Sequence, residues 1–132
     1  MTEELKKVLV VDDEPDAVEF VRAVMEEAGY EVVSASNGSD GLAAAQAEAP
    51  DLVVLDVQMP GMDGFTVFGK LRKTTGLQEV PVIMLTGVGQ KVGIGFGAEE
   101  MGDYFGQEPD AYIEKPVDPQ LLQQKARSLL ED

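Results

Sequence analysis

Three short stretches constrain this chain more than anything else in its sequence. Residues 8–11 (VLVV), 52–55 (LVVL) and 82–85 (VIML) are wholly apolar, and each is followed at once by a polar residue: Asp12, Asp56 and Thr86. A strand that shows no apolar–polar alternation is buried on both faces, which is the habit of a parallel sheet covered by helices. The stretches between them have helical spacing. From Pro15 to Gly29, Val18, Val21, Val24, Met25 and Ala28 share one face, with proline opening the helix and glycine closing it. Glu31 to Ala35 reads as a second strand. Ser39 to Ala49 reads as an alanine-rich helix with Ser39 as its N-cap. The third strand runs from Asp51 to Leu55, and the third helix from Phe65 to Lys73 with Phe65, Phe68 and Leu71 inward. A fourth strand (Pro81 to Leu85), a short fifth (Ala111 to Glu114) and a closing helix (Asp118 to Leu130, with Leu121, Leu122, Ala126 and Leu129 inward) complete the pattern. Strands alternating with helices in this way predict an α/β fold with helices on both faces of a doubly wound parallel sheet.

The 132 residues are expected to form one domain over positions 1–132, with no output domain in this chain. The chain has no cysteine and no histidine, which excludes a disulfide framework, a thiolate metal site, a thiol nucleophile and phosphohistidine chemistry in cis. No apolar run is long enough to span a bilayer and the N-terminus does not read as a signal peptide, so a cytoplasmic protein is expected. Ten basic residues stand against 25 acidic ones, a formal charge of −15. Such a surface repels nucleic acid and anionic membranes and favours basic protein surfaces or cations, although acidity also serves solubility alone.

In a parallel sheet of this kind the functional site lies beyond the carboxyl ends of the strands. Asp12 and Asp13 follow the first strand, Asp56 the third, Thr86 the fourth, and Lys115 with Pro116 the fifth. Each has an ordinary explanation by itself. The Asp pair before Glu14 and Pro15 could cap a helix, Asp56 could begin a turn, Thr86 suits a strand end, and Lys115 could be a plain strand exit. Together they are harder to dismiss. Three carboxylates at neighbouring strand ends repel unless something neutralises them. A hard divalent cation with oxygen ligands does so, and Mg2+ fits because it needs one or two carboxylates and keeps several waters. A lysine opposite that cation would stabilise charge on a transferring phosphoryl group, a carboxylate can be the nucleophile, and Thr86 can offer a hydroxyl to a phosphoryl oxygen.

The segments VLVVDDEP (8–15), DLVVLDVQMPGMDG (51–64), PVIMLTG (81–87) and YIEKP (112–116) resemble the receiver domains of two-component response regulators, the fold of the chemotaxis response regulator. The resemblance implies a flavodoxin-like five-stranded parallel sheet in the order 2-1-3-4-5. It implies Asp56 as phosphoacceptor, Asp12 and Asp13 as Mg2+ ligands alongside Asp56, and the backbone carbonyl of Gln58 completing the metal site. Lys115 would pair with the phosphoryl group. Thr86 would move to bond it, and Tyr112 would follow Thr86 as the switch aromatic. Gln58 and Val88 occupy the positions that tune phosphoryl lifetime, which implies slow to intermediate self-dephosphorylation. The implied partners are a sensor histidine kinase or phosphotransfer protein and a downstream protein target. No direct contact with nucleic acid or membrane is implied, and the state is a monomer or a phosphorylation-dependent dimer. Beyond its own phosphorylation from a donor and its own dephosphorylation, the protein would not be an enzyme. The face of strands four and five and the segment between them would carry the output.

One stretch departs from the family. From Gly87 to Glu114 the chain is longer than the family norm and holds seven of its 14 glycines, namely Gly87, Gly89, Gly93, Gly95, Gly97, Gly102 and Gly106. Glycine weakens helix interiors, so the helix expected here should be shifted, shortened or partly disordered and the partner contact altered. Three alternatives remain. A degenerate receiver could act as a phosphorylation-independent interaction module. A haloacid-dehalogenase-type phosphatase wants a second Asp where this chain has Gln58. A flavodoxin-type carrier wants a phosphate loop where this chain has Asp12, Asp13 and Glu14, which would repel phosphate.

Overall fold

The computed structural model describes residues 5–87 and 109–131. The described elements are β1 (Lys7–Val11), α1 (Pro15–Glu27), β2 (Glu31–Ala35), α2 (Gly38–Glu48), β3 (Leu52–Asp56), α3 (Gly64–Arg72), β4 (Val82–Thr86), β5 (Ala111–Glu114) and α4 (Pro119–Leu130). The helix expected between the fourth and fifth strands, with the position of Val88, lies outside the described residues. The five strands form one parallel sheet in the order β2-β1-β3-β4-β5.

The unbroken apolar runs have the expected cause. Along each central strand alternate residues enter two different cores. Leu9, Val11, Val53, Leu55, Val82 and Met84 pack with Val67, Phe68 and Leu71 of α3 and Ala45 of α2. Val8, Val10, Leu52, Val54, Ile83 and Leu85 pack with Val21, Val24 and Met25 of α1 and Leu122 and Ala126 of α4. Both faces are therefore dry, and each fully buried Val, Leu, Ile, Phe or Met contributes about 1.5–3 kcal/mol relative to exposure. β5 is registered by Asp110, whose N–H donates to the Val82 carbonyl at 2.9 Å and whose Oδ1 accepts the Val82 N–H at 2.9 Å. Its start is held further by Arg72, whose Nη2 lies 3.7 Å from Asp110 Oδ1.

Helix ends differ from expectation in instructive ways. α2 begins at Gly38 and is capped by Asn37, whose side chain accepts the Asp40 N–H at 2.7 Å; Ser39 is not the cap. Asn37 is itself a favoured cap, and Gly38 leaves room for the earlier start. A Cβ there would stand 2.8 Å from Val67 Cγ2 and 2.9 Å from Met62 Cβ, so only glycine lets the first turn of α2 press on α3 and the loop before it. α3 likewise begins at Gly64, capped by Asp63. α2 ends at Ala49 in the left-handed region (φ 49°, ψ 60°). That conformation costs an L-residue roughly 1–2 kcal/mol, part of which glycine gives back in chain entropy. Ala49→Gly should therefore raise unfolding free energy by about 0.5–1 kcal/mol in urea denaturation.

Candidate functional site

The parallel sheet brings the predicted strand-end residues to one edge. Asp12 follows β1 directly and is 1% exposed, while Asp56 is the last residue of β3 and is 4% exposed. Asp13 is half-buried beside them. One carboxylate oxygen from each of the three residues can be chosen so that all lie within 4.8 Å of one another. Lys115 reaches in from the end of β5, with Nζ 2.9 Å from Asp56 Oδ1 and 3.3 Å from Asp12 Oδ2. Its backbone is fixed at the same edge, since the Lys115 N–H donates to the Thr86 carbonyl at 2.7 Å.

Electrostatics follow from this crowding. The Asp56 carboxyl is pushed up from 3.8 to about 6, chiefly by burial; the hydrogen bond and charge of Lys115 oppose the rise, and the charges of Asp12 and Asp13 add to it. Burial alone would lower the Lys115 ammonium. The hydrogen bond and charge of Asp56, and then Asp12, outweigh burial and hold it above its usual value. The proton of this pair thus stays on the lysine. Three carboxylates facing one ammonium leave an excess of negative charge in a largely buried cleft lined by hard oxygen donors. Those residues fit a divalent cation such as Mg2+.

The raised carboxyl has a consequence for stability without metal. The folded state holds the Asp56 proton more tightly than the unfolded chain, so this group favours folding below about pH 4 and disfavours it increasingly as pH rises through about 6. In EDTA, Asp56→Asn should be more stable than wild type at pH 7 by on the order of 2 kcal/mol, with the gap closing by about pH 4. Urea titrations of both proteins across that range measure it; a gap that widens on acidification would contradict the burial argument.

The remaining predicted residues occupy coherent places. Thr86 ends β4, is 4% exposed, and lies one strand over from Asp56. Tyr112 pairs with Met84, and Glu114 with Thr86, so Tyr112 lies on the same sheet face as Thr86, one step back along the strand. It is half-buried against the core that contains Met84. Gln58 is exposed in the loop after β3. That loop is pinned at both ends, by the Val57 N–H on the Leu85 carbonyl and the Gly64 N–H on the Val57 carbonyl, each at 2.9 Å.

Two contributors escaped sequence reasoning. The Glu14 backbone N–H donates to Asp12 Oδ1 at 3.0 Å, a local aspartate turn with a proline behind it. Gly64 reads as a turn residue after Asp63, yet it is buried against the backbone of Asp56 and Val57.

Among the described residues no helix is long and apolar enough to cross a membrane. The model of the response regulator receiver domain matches residues 8–127. Protein PilH of Pseudomonas aeruginosa is 33% identical over 96% of this chain and 98% of its own length. The DNA-binding dual master transcriptional regulator RpaA of Synechocystis is 35% identical over 96% of this chain. The chain spans about half the length of that regulator (49%) and of other curated relatives it matches (48–49%). Among solved structures, the chemotaxis protein CheY4 of Vibrio cholerae superposes with a TM-score of 0.82 at 29% identity, covering 96% of this chain and all (100%) of that one. A CheY-like receiver domain protein of Methanospirillum hungatei gives 0.79 at 30% identity, with 97% and 95% covered. The sheet order, the strand-end cluster and the matched length agree, and this chain belongs to the response regulator receiver domains of two-component systems.

Proposed function

We propose that this chain is a phosphoacceptor switch, a single receiver domain over residues 1–132 whose phosphoacceptor is Asp56. The donor would be the phosphohistidine of a sensor histidine kinase or phosphotransfer protein, since the chain has no histidine of its own. An Asp56 carboxylate oxygen attacks phosphorus, the P–N bond of the donor breaks with its electron pair returning to the imidazole, and an acyl phosphate forms. Asp12, Asp13, Asp56 and the Gln58 carbonyl would hold Mg2+, which when bound neutralises the carboxylates and the incoming phosphoryl oxygens. Lys115 supplies the second cationic pole. The single observation that carries this reading is the meeting of three carboxylates within 4.8 Å with Lys115 Nζ at 2.9 Å from Asp56.

Phosphorylation adds charge and three acceptor oxygens at Asp56. Thr86 and Lys115 move in to bond them, and Tyr112 fills the space that Thr86 leaves. A conformer with that face rearranged gains population and is read by a protein target. The chain acts as a signalling switch and not as a turnover enzyme.

The test is the intact mass of the protein after incubation with acetyl phosphate. One added phosphoryl group is expected with Mg2+ and none with EDTA. No gain under either condition would overturn the switch in favour of a phosphorylation-independent interaction module.

A further inference from the structure

Aspartate is among the residues best suited to cap a helix N-terminus, and Asp12 and Asp13 stand just before α1. Neither caps it. The N-cap of α1 is Glu14, extended at φ −101° and ψ 119°, and its side chain makes no capping hydrogen bond. The Glu14 N–H is turned instead onto Asp12 Oδ1 at 3.0 Å, leaving Oδ2 toward Lys115 at 3.3 Å. α1 starts at Pro15, and proline favours this arrangement in two ways. Its ring clashes with a helical conformation at the residue before it, so Glu14 stays extended. It also lacks the N–H that an Asp13 cap would bind at the second helical position.

We propose that Pro15 is a positioning residue of the metal site: it stops α1 from growing back over Glu14, which would recruit Asp13 as N-cap and withdraw the Glu14 amide from Asp12. The inference rests on the reading of Asp12 and Asp13 as Mg2+ ligands. It concerns how they are kept free for that role. Without the proline, Asp13 would cap a helix beginning at Glu14 through the amide of residue 15 or of Asp16, and its carboxylate would leave the cluster.

Calorimetric titration with Mg2+ tests this on the full chain. Pro15→Ala should weaken Mg2+ binding by about tenfold or more, the usual effect of losing a residue that orients a ligand. Pro15→Gly should weaken it less, because glycine resists helix extension. Pro119→Ala, at the matching position of α4 behind its own cap Asp118, should leave binding unchanged. Pro15 is exposed, so its replacement removes no core contact, and Pro15→Gln repeats the helix-permissive case. In EDTA the Cα chemical shift of Glu14, taken relative to the random-coil value proper to the residue that follows it, should become helical in Pro15→Ala, a readout that needs no metal. Pro15→Ala binding within about twofold of wild type, a larger loss in Pro15→Gly than in Pro15→Ala, or an unmoved Glu14 shift would each overturn the proposal. Wild-type protein that binds no Mg2+ would overturn the functional reading and this inference with it, whereas wild-type binding matched by Pro15→Ala overturns this inference alone.

Discussion

Gly64→Ala should lower unfolding free energy by about 3 kcal/mol and remove most phosphoryl uptake at Asp56, although it adds a single methyl group. A Cβ at this position would collide with the Asp56 carbonyl oxygen and stand 2.9 Å from Val57 Cα. Both neighbours are backbone, so no side-chain rotation relieves the clash. The Gly64 N–H is tied to the Val57 carbonyl at 2.9 Å, and the Val57 N–H to the Leu85 carbonyl at 2.9 Å, so a shift at Gly64 travels into the end of β3. Asp56 is the last residue of that strand, and moving its backbone changes its distance to Lys115 and to the other carboxylates. A displacement of about 1 Å is enough to cost a site that works by positioning about 100-fold. Urea denaturation and intact mass after acetyl phosphate measure the two effects. A loss below about 1 kcal/mol with normal uptake would show that the loop gives way freely.

Lys115→Ala should separate metal binding from phosphoryl transfer. The ammonium is the only described cation against Asp12 and Asp56, which are 1% and 4% exposed. Removing it strands two buried carboxylates, which in a fully buried pair costs about 3–5 kcal/mol; with the lysine side chain partly exposed, about 1–3 kcal/mol is expected in EDTA. Saturating Mg2+ should recover most of that loss, because a divalent ion replaces the missing charge. Phosphoryl uptake should remain about 100- to 1000-fold slower even with Mg2+, the usual effect of deleting one preorganised charge partner of a transition state. Thermal unfolding with and without Mg2+, beside the rate of mass gain, checks both halves. Full uptake in the Mg2+-loaded variant would remove Lys115 from the transfer step.

The central strands were legible because burial on both faces leaves an unmistakable record: Val8 to Val11 and Leu52 to Leu55 have no polar residue to place outward. The site was legible for a related reason. Once the sheet is parallel, whatever follows each run shares one edge, so Asp12, Asp13, Asp56, Thr86 and Lys115 fall together from the strand pattern alone. Boundaries were less legible. Asp56 and Thr86 belong to their strands because their backbones still pair with Leu85 and Glu114, and side-chain polarity says nothing about that. The cap of α2 fell on Asn37 instead of Ser39, two residue types that cap about equally well, and the close approach at Gly38 involves Val67 and Met62, residues distant in sequence. Gly64 was hidden for the same reason. A glycine needed for close approach and a glycine in a turn are spelled alike.

The measurement that bears most directly on Asp56 as the acceptor is chemical trapping of the phosphoryl group. Protein treated with acetyl phosphate and Mg2+ is reduced with borohydride, which converts an aspartyl phosphate to homoserine, and the peptides are sequenced by mass spectrometry. Homoserine at position 56, absent when EDTA replaces Mg2+, is the predicted result. Homoserine at Asp12, Asp13 or any other aspartate in place of 56, or at none, would contradict it.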